Sequence, residues 1–152
     1  MYIVSACLLG ENVKYSGGNN YHQGVIDFLK DKDILPVCPE VAGDLPVPRY
    51  PCERLGDKVI NNQGENLTRA FHEGARRCWE TILNEWSQKD IEGAILKARS
   101  PSCGAGVIYD GTFQGVKIPG DGVFTELLKS KGIKVMTDWT LILMKYNYDG
   151  SY

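Results

Sequence analysis

Short apolar runs alternate with amphipathic segments along this chain. Four apolar runs have the length of buried strands and lie at residues 2–6, 34–37, 94–98 and 132–136. Between them, apolar residues recur at three- and four-residue steps, which predicts helices, the clearest from Leu67 to about Trp86. Strands that alternate with helices predict an α/β fold with a mainly parallel sheet of four or five strands and helices on both faces.

Three segments do not follow this alternation. Residues 40–66 are rich in Pro and Gly, which predicts an ordered but irregular excursion from the sheet. The pair Asp110-Gly111 stands between apolar residues, a pattern typical of a tight turn or a small surface hairpin. Residues 140–152 are predicted to form a short helix followed by a loose tail.

Length and charge restrict the class of protein. With 152 residues, the chain is expected to form a single Rossmann-like or flavodoxin-like domain over residues 1–152. Its 17 basic and 19 acidic residues are mixed along the chain, with no basic run, so nucleic acid is not an expected partner. No apolar stretch has the length of a membrane span and no signal peptide is recognisable, so we expect a cytoplasmic protein.

Three of the five cysteines come at the ends of predicted strands. Cys7 and Cys38 end the first two apolar runs, and Cys103 follows the third after a short loop. Parallel strands present their carboxyl ends at one edge of a sheet, where such folds bind ligands. We therefore expect these three thiols to meet in one crevice, although each alone is equally typical of a small buried apolar residue.

Three thiolates form an incomplete set of soft ligands. Such a set suits zinc, copper(I) or an iron-sulfur cluster, and leaves one coordination position open, as in catalytic centres. Cys78 lies on the apolar face of the long predicted helix and is interpreted as a core residue. Cys52 lies in the irregular segment and is either a fourth ligand or a bystander.

Polar residues beside these cysteines are candidates for the chemistry. Glu40 stands two residues after Cys38 and is interpreted as an acid or base, or else as a helix-capping residue. Ser100 and Ser102 precede Cys103; one hydroxyl is expected to reach the open coordination position, with Ser100 preferred, while the other caps the following backbone.

Two further residues are candidates for binding. Arg49 is suited to orient an anionic or carbonyl group of a ligand, although a loop arginine is more often solvated or paired with a carboxylate. Gly104 follows Cys103 and would allow the backbone to approach a bulky cofactor.

Five short motifs resemble those of a known family. They are residues 5–10 (SACLLG), 38–43 (CPEVAG), 48–49 (PR), 100–104 (SPSCG) and 109–113 (YDGTF). Together they resemble the small bacterial family that contains the thiouracil desulfidases, and the likeness extends over nearly the whole chain. Ser16, Cys52 and Phe124 depart from the family pattern, which affects the identity of the substrate more than cluster binding.

This resemblance implies a cofactor and a reaction. It implies a [4Fe-4S] cluster held by Cys7, Cys38 and Cys103, with one iron not bound by protein, and it implies that Glu40 and Ser100 act beside that iron. The implied reaction converts a small-molecule thiobase such as 2-thiouracil to its oxo form, without redox change, and releases sulfide. The alternatives are an iron-sulfur carrier or sensor of sulfur without turnover, a three-thiolate zinc protein, or a core without metal.

Overall fold

A computed structural model of the protein describes residues 1–142. The strands are β1 (Tyr2–Ser5), β2 (Ile34–Val37), β3 (Cys52–Leu55), β4 (Lys58–Asn61), β5 (Gly93–Leu96), β6 (Val107–Tyr109), β7 (Lys117–Pro119) and β8 (Val135–Thr137). The helices are α1 (Gln23–Leu29), α2 (Pro39–Ala42), α3 (Thr68–Glu85) and α4 (Val123–Ser130). Residues 138–142 are also helical, and the rest of the predicted C-terminal helix and tail lies outside the described residues.

A parallel sheet forms the centre of the fold. Its strand order is β2-β1-β5-β8, and each neighbouring pair is parallel. Successive strand residues point to opposite faces: Ile3 and Leu96 pack with α3 and α4, whereas Val4 and Ile95 pack with α1. The prediction of an α/β fold with a four-stranded parallel sheet and helices on both faces is confirmed.

The last strand begins later than its apolar run. The run starts at residue 132, but β8 begins at Val135. Gly132 adopts a left-handed conformation (φ 78°), and the N–H of Ile133 donates to the carbonyl oxygen of Leu128 at 3.0 Å. These residues close the end of α4 instead of joining the sheet, because helix carbonyls without partners are commonly satisfied in this way.

Helix α2 lies directly against α3. A Cβ atom at Gly74 would lie 1.8 Å from the carbonyl oxygen of Pro39, and one at Gly43 would lie 2.3 Å from that of Ala70. Only glycine fits at such approaches. The contact fixes α2, and with it Cys38 and Glu40, at the edge of the sheet.

Two antiparallel hairpins lie outside the central sheet. Strands β3 and β4 pair across a two-residue turn at Gly56 and Asp57, so the prediction of an irregular segment over 40–66 is wrong for this part. Gly56 has a φ of 63°, which a tight hairpin turn requires; the surrounding prolines obscured that signal. Strands β6 and β7 form the second hairpin, as predicted, although residues 110–116 connect them rather than a tight Asp-Gly turn.

Candidate active site

The three predicted ligands line one cavity. Cys7 lies in a 3₁₀ turn that follows β1, Cys38 is the N-cap of α2 after β2, and Cys103 lies in the loop after β5. Because β2, β1 and β5 are neighbours in the sheet, their carboxyl ends bring the three thiols to a cavity of about 630 Å³. We name this side of the cavity, defined by the three cysteines, the thiol wall.

Burial and mutual repulsion act on the thiols together. Burial raises the pKa of Cys103, the hydroxyls of Ser5 and Ser102 lower it, and the thiols of Cys7 and Cys38 raise it further. Burial likewise raises the pKa of Cys7 and of Cys38. Three desolvated thiols that disfavour one another's ionisation need a cationic centre to become thiolates together, which suits the chemistry of a metal cofactor.

Polar groups of the cavity favour the ionised form of these thiols. The side chain of Asn20 and the ammonium of Lys97 lower the pKa of Cys7, against the effects of burial and of Cys38. The backbone N–H of Val41 and the guanidinium of Arg49 lower the pKa of Cys38. Hydrogen bonds and positive charge around thiolate ligands are the usual means by which proteins stabilise iron-sulfur clusters.

The three thiols are soft donors carried by separate elements of the fold. All five cysteines are free thiols, yet among residues 1–142 no three His, Cys, Asp or Glu side chains are grouped so that they could hold one ion. Three thiolates on one zinc ion would each lie about 2.3 Å from it. A four-iron cluster takes each cysteine on a different iron, so three thiols on separate elements that line one cavity suit such a cluster.

The amino end of α4 holds the loop that carries Cys103. The N–H groups of Val123 and Phe124 donate to the carbonyl oxygens of Pro101 and Ser102, both at 2.9 Å. The hydroxyl of the fully buried Thr125 donates to the carbonyl oxygen of Cys103 at 2.9 Å. Thr125 was not predicted from the sequence, because a helix residue twenty-two positions from its partner carries no local signal.

A chain of hydrogen bonds connects the predicted acid, serines and arginine. Arg49 Nε lies 3.1 Å from Oε1 of Glu40, and the Ser102 hydroxyl donates to the other carboxylate oxygen, Oε2, at 2.8 Å. Since that donation uses the single hydroxyl proton of Ser102, the Ser100 hydroxyl donates to Ser102 across 2.9 Å. Arg49 is fixed in turn by donation to the carbonyl oxygen of Val13 at 2.9 Å.

The two serines therefore have different surroundings. Ser100 Oγ accepts the N–H groups of Ser102 (3.1 Å) and Cys103 (2.9 Å), so it shapes the loop in addition to lining the cavity. Ser102 Oγ contacts Glu40 directly and lies 3.6 Å from the sulfur of Cys103. Of the two, Ser102 bridges the carboxylate and the thiol wall.

The family model for 2-thiouracil desulfurase matches residues 2–139 of this chain. The chain belongs to the 2-thiouracil desulfurase family. It is 34% identical over 148 residues to the uncharacterized protein YbbK of Bacillus subtilis (strain 168), which covers 91% of this chain and 95% of that protein. The resemblance found in the motifs is thus confirmed.

A solved structure extends the family likeness to the fold. The [4Fe-4S]-dependent thiouracil desulfidase TudS superposes with a TM-score of 0.83 at 40% identity, and the match covers 97% of each chain. Family membership and this neighbour support a thiouracil desulfidase function for the chain.

Among the described residues, no helix is long and apolar enough to cross a membrane.

Cys52 and Cys78 are the two remaining cysteines of this family member. Cys52 also lines the cavity, where burial raises its pKa to about 12; Glu40 raises it further and Arg49 lowers it. Cys52 begins hairpin strand β3, whereas the three cysteines of the thiol wall follow strands of the central sheet. Cys78 is 4% exposed and packs in the core shared with α3, which confirms its interpretation as a core residue.

Gly104 serves the loop rather than the cavity surface. It is absent from the cavity lining, and a Cβ atom there would lie 2.7 Å from the carbonyl oxygen of Ser100 and 3.0 Å from Ile108 Cγ2. Close packing of the loop therefore accounts for this glycine without a bound ligand.

The far side of the cavity comes from the two hairpins, which we call the cover. Its lining residues were not singled out for binding in the sequence, apart from Cys52. They are Cys52, Glu53, Asn62, Tyr109, Phe113 and Gly115. Lys97, also missed, lines the cavity and lies 3.4 Å from Asp138 Oδ2; a lysine at the end of a buried strand was the signal that could have found it.

Proposed function

We propose that this protein is a [4Fe-4S]-dependent desulfidase that converts a thiolated pyrimidine to its oxo form and releases sulfide. The observation that carries the proposal is one cavity lined both by three thiols, of which Cys103 is buried, and by a carboxylate in a hydrogen-bonded chain. The [4Fe-4S] dependence of the TudS neighbour supports the choice of cofactor.

In this proposal Cys7, Cys38 and Cys103 hold the cluster. Each is a free thiol at a different position of the cavity wall, and none has a competing disulfide partner. When bound, the cluster supplies an iron with an open coordination position, which acts as a Lewis acid towards the sulfur of a thiocarbonyl group. Cys52 is left out of the ligand set, because it lies on hairpin strand β3 and does not follow a strand of the central sheet.

Glu40 is the proposed acid and base of the reaction. Hydrolysis of the thiocarbonyl consumes one water and yields a carbonyl group and hydrogen sulfide. Glu40 takes a proton from the attacking water and returns it to the departing sulfur or to the ring. Arg49 holds one carboxylate oxygen at 3.1 Å, so the other oxygen, which accepts from Ser102, is directed along the cavity wall.

The two serines assist Glu40 in this scheme. Ser102 lies between the carboxylate and the thiol wall, so its hydroxyl is suited to donate to the reacting group when Glu40 changes its protonation. The Ser100 hydroxyl donates to Ser102 Oγ and so helps to hold the Ser102 hydroxyl in its orientation towards Glu40. We therefore propose that Ser102 donates to the substrate and that Ser100 orients Ser102.

The cavity matches a small substrate. Its volume of about 630 Å³ falls in the usual range for small-molecule sites, roughly 300 to 1,000 Å³. With Arg49 held by Glu40 and the carbonyl of Val13, the wall also offers polar contacts to the edge of a base. The proposed substrate is a small-molecule thiobase rather than a nucleic acid.

Metal analysis together with turnover tests the proposal. The protein is purified and reconstituted without oxygen, and iron, acid-labile sulfide and zinc are measured per chain. We expect four irons and four sulfides, a visible spectrum that changes with 2-thiouracil, and production of uracil and sulfide in equal amounts. Sulfide uptake without uracil would favour a sulfur carrier, and stoichiometric zinc would overturn the cluster assignment.

A further inference from the structure

Phe113 adopts a backbone conformation that its side chain does not favour. Its φ is 58°, in the left-handed region that bulky residues rarely occupy. It lies in the β6–β7 connection, is half-buried and lines the cavity. Phe113 belongs to neither apolar core formed by the described residues, so packing of the fold does not account for the aromatic ring at this position.

Glu53 of the other hairpin imposes this conformation. One carboxylate oxygen, Oε1, accepts the N–H groups of Gly111 at 3.0 Å and of Phe113 at 3.1 Å. Asp110 tightens the same turn by accepting the Thr112 hydroxyl at 2.6 Å and its N–H at 3.0 Å. The hairpins are thus joined where Phe113 enters the cavity.

The turn also lies directly on β3. Gly111 has a φ of 96°, and a Cβ atom there would lie 2.9 Å from the carbonyl oxygen of Arg54. An unfavourable backbone conformation persists only where several surrounding contacts hold it in place. Such positions are concentrated at binding sites. Here, hydrogen bonds and close packing hold an apolar planar side chain at the cavity rather than in a core.

We propose that Phe113 determines substrate specificity by stacking on the ring of the substrate, and that Glu53 is its positioning residue. The substrate class is then a planar, unsaturated heterocycle, in preference to a puckered ring with the same polar edge. This inference rests on the proposed function for the choice of thiobases, but it concerns recognition of the ring and is measurable without turnover.

Binding of uracil and of 5,6-dihydrouracil tests the stacking directly. The two compounds share their hydrogen-bonding edge, but dihydrouracil has a puckered ring. Stacking of a base on an aromatic side chain changes affinity by roughly tenfold or more. With the reconstituted protein, calorimetry is expected to give a Kd for uracil at least about tenfold below that for dihydrouracil, and Phe113→Leu is expected to remove most of this difference.

Matched variants separate stacking from general damage. Phe113→Tyr keeps a ring and should retain the preference, and Tyr50→Leu changes an exposed aromatic residue outside this cavity. Glu53→Ala should weaken uracil binding in the same direction as Phe113→Leu, and Glu53→Gln, which keeps an acceptor oxygen, should restore it. Melting temperatures establish that each variant is folded.

The outcomes distinguish this inference from the proposed function. Equal affinities for the two compounds, no binding of uracil, or an unchanged ratio in Phe113→Leu would overturn the role of Phe113, even if 2-thiouracil is converted. A preference for uracil that depends on Phe113, in a protein that converts no thiobase, would support the stacking role and reject the desulfidase proposal.

Discussion

The thiol wall and the cover enclose the same cavity but are built by different parts of the fold. Cys7, Cys38 and Cys103 stand at the ends of neighbouring parallel strands and are placed by the sheet itself. The cover consists of two hairpins whose positions depend on contacts such as the one between Glu53 and the backbone of Phe113. In our two proposals, residues placed by the central sheet hold the cofactor, and a separate layer recognises the ring of the substrate.

Burial varies within both regions. Cys103 is 4% exposed and belongs to the main apolar core, whereas every residue of β7 is exposed. Within the hairpins, Val59 is fully buried in the same core and Cys52 packs against it, whereas Phe113 belongs to neither core. We expect family members to vary their substrates through the connection that carries Phe113, because few core contacts constrain it.

The largest effect is expected from Cys103→Ser in the thiol wall. A serine hydroxyl is a poor ligand for iron in place of a thiolate, so we expect loss of the cluster and no detectable turnover of 2-thiouracil. Iron and acid-labile sulfide per chain after anaerobic reconstitution provide the measurement. A serine variant that keeps four irons would show that Cys103 is not a ligand.

Cys78→Ala is the matched control for that experiment. It removes a buried thiol from the same core without touching the cavity lining. We expect a moderate fall in melting temperature and an unchanged iron content. Loss of iron in both variants would mean that core damage, rather than loss of a ligand, explains the result for Cys103.

Glu40→Gln is expected to retain the cluster but to lose most of its catalytic activity. Glutamine keeps the shape of the side chain but can neither accept nor deliver the proton, and positioned acids and bases typically contribute about 10² to 10⁴-fold in rate. We expect a fall in kcat within that range at full iron content. Activity equal to that of the parent would remove Glu40 from the mechanism and leave the thiol wall unaffected.

Gly74→Ala tests whether close packing of α2 on α3 places the thiol wall. Because the new Cβ would lie 1.8 Å from the carbonyl oxygen of Pro39, α2 must move. We expect destabilisation by about 3 kcal/mol or more, measured by urea unfolding, together with a lower iron content. In the control Gly18→Ala the nearest heavy atom is 3.6 Å away, so stability should change by less than about 1 kcal/mol.

The smallest effect is expected from Cys52→Ala in the cover. If the thiol wall alone binds the cluster, iron content should not change and kcat/KM should stay within about twofold. A second readout is alkylation: burial raises the pKa of Cys52 to about 12, so the protonated thiol prevails at pH 8. Peptide mapping after iodoacetamide treatment should show Cys52 reacting at least about tenfold more slowly than a free thiol.

A loss of iron in Cys52→Ala would contradict the assignment of cluster binding to the thiol wall alone. It would make Cys52 a fourth ligand, close the open position on the cluster and require a different account of substrate binding. Rapid alkylation would likewise contradict the burial of this thiol, since reactivity follows the thiolate fraction.

The placement of the thiols was predictable from the chain alone. Apolar runs that end at Cys7 and Cys38, and one that leads to Cys103, predict strands, and the geometry of parallel strands then requires that their ends share an edge. The long helix was predicted as residues 67–86 and observed as Thr68–Glu85, because its apolar spacing extends over five turns. The position of Glu40 was predictable together with that of Cys38, because both residues follow β2.

Only the tertiary structure determined the position of the cover and the hydrogen-bond partners of the side chains in the site. The hairpin β3–β4 was hidden among prolines, and nothing local to Glu53 or Phe113 indicates that they meet across sixty residues. The sequence placed Ser100 and Ser102 beside Cys103, but only the packed structure shows that Ser102 contacts Glu40. Periodicity determines which residues are buried and where strands end, whereas hydrogen bonds between distant side chains depend on how the completed elements pack.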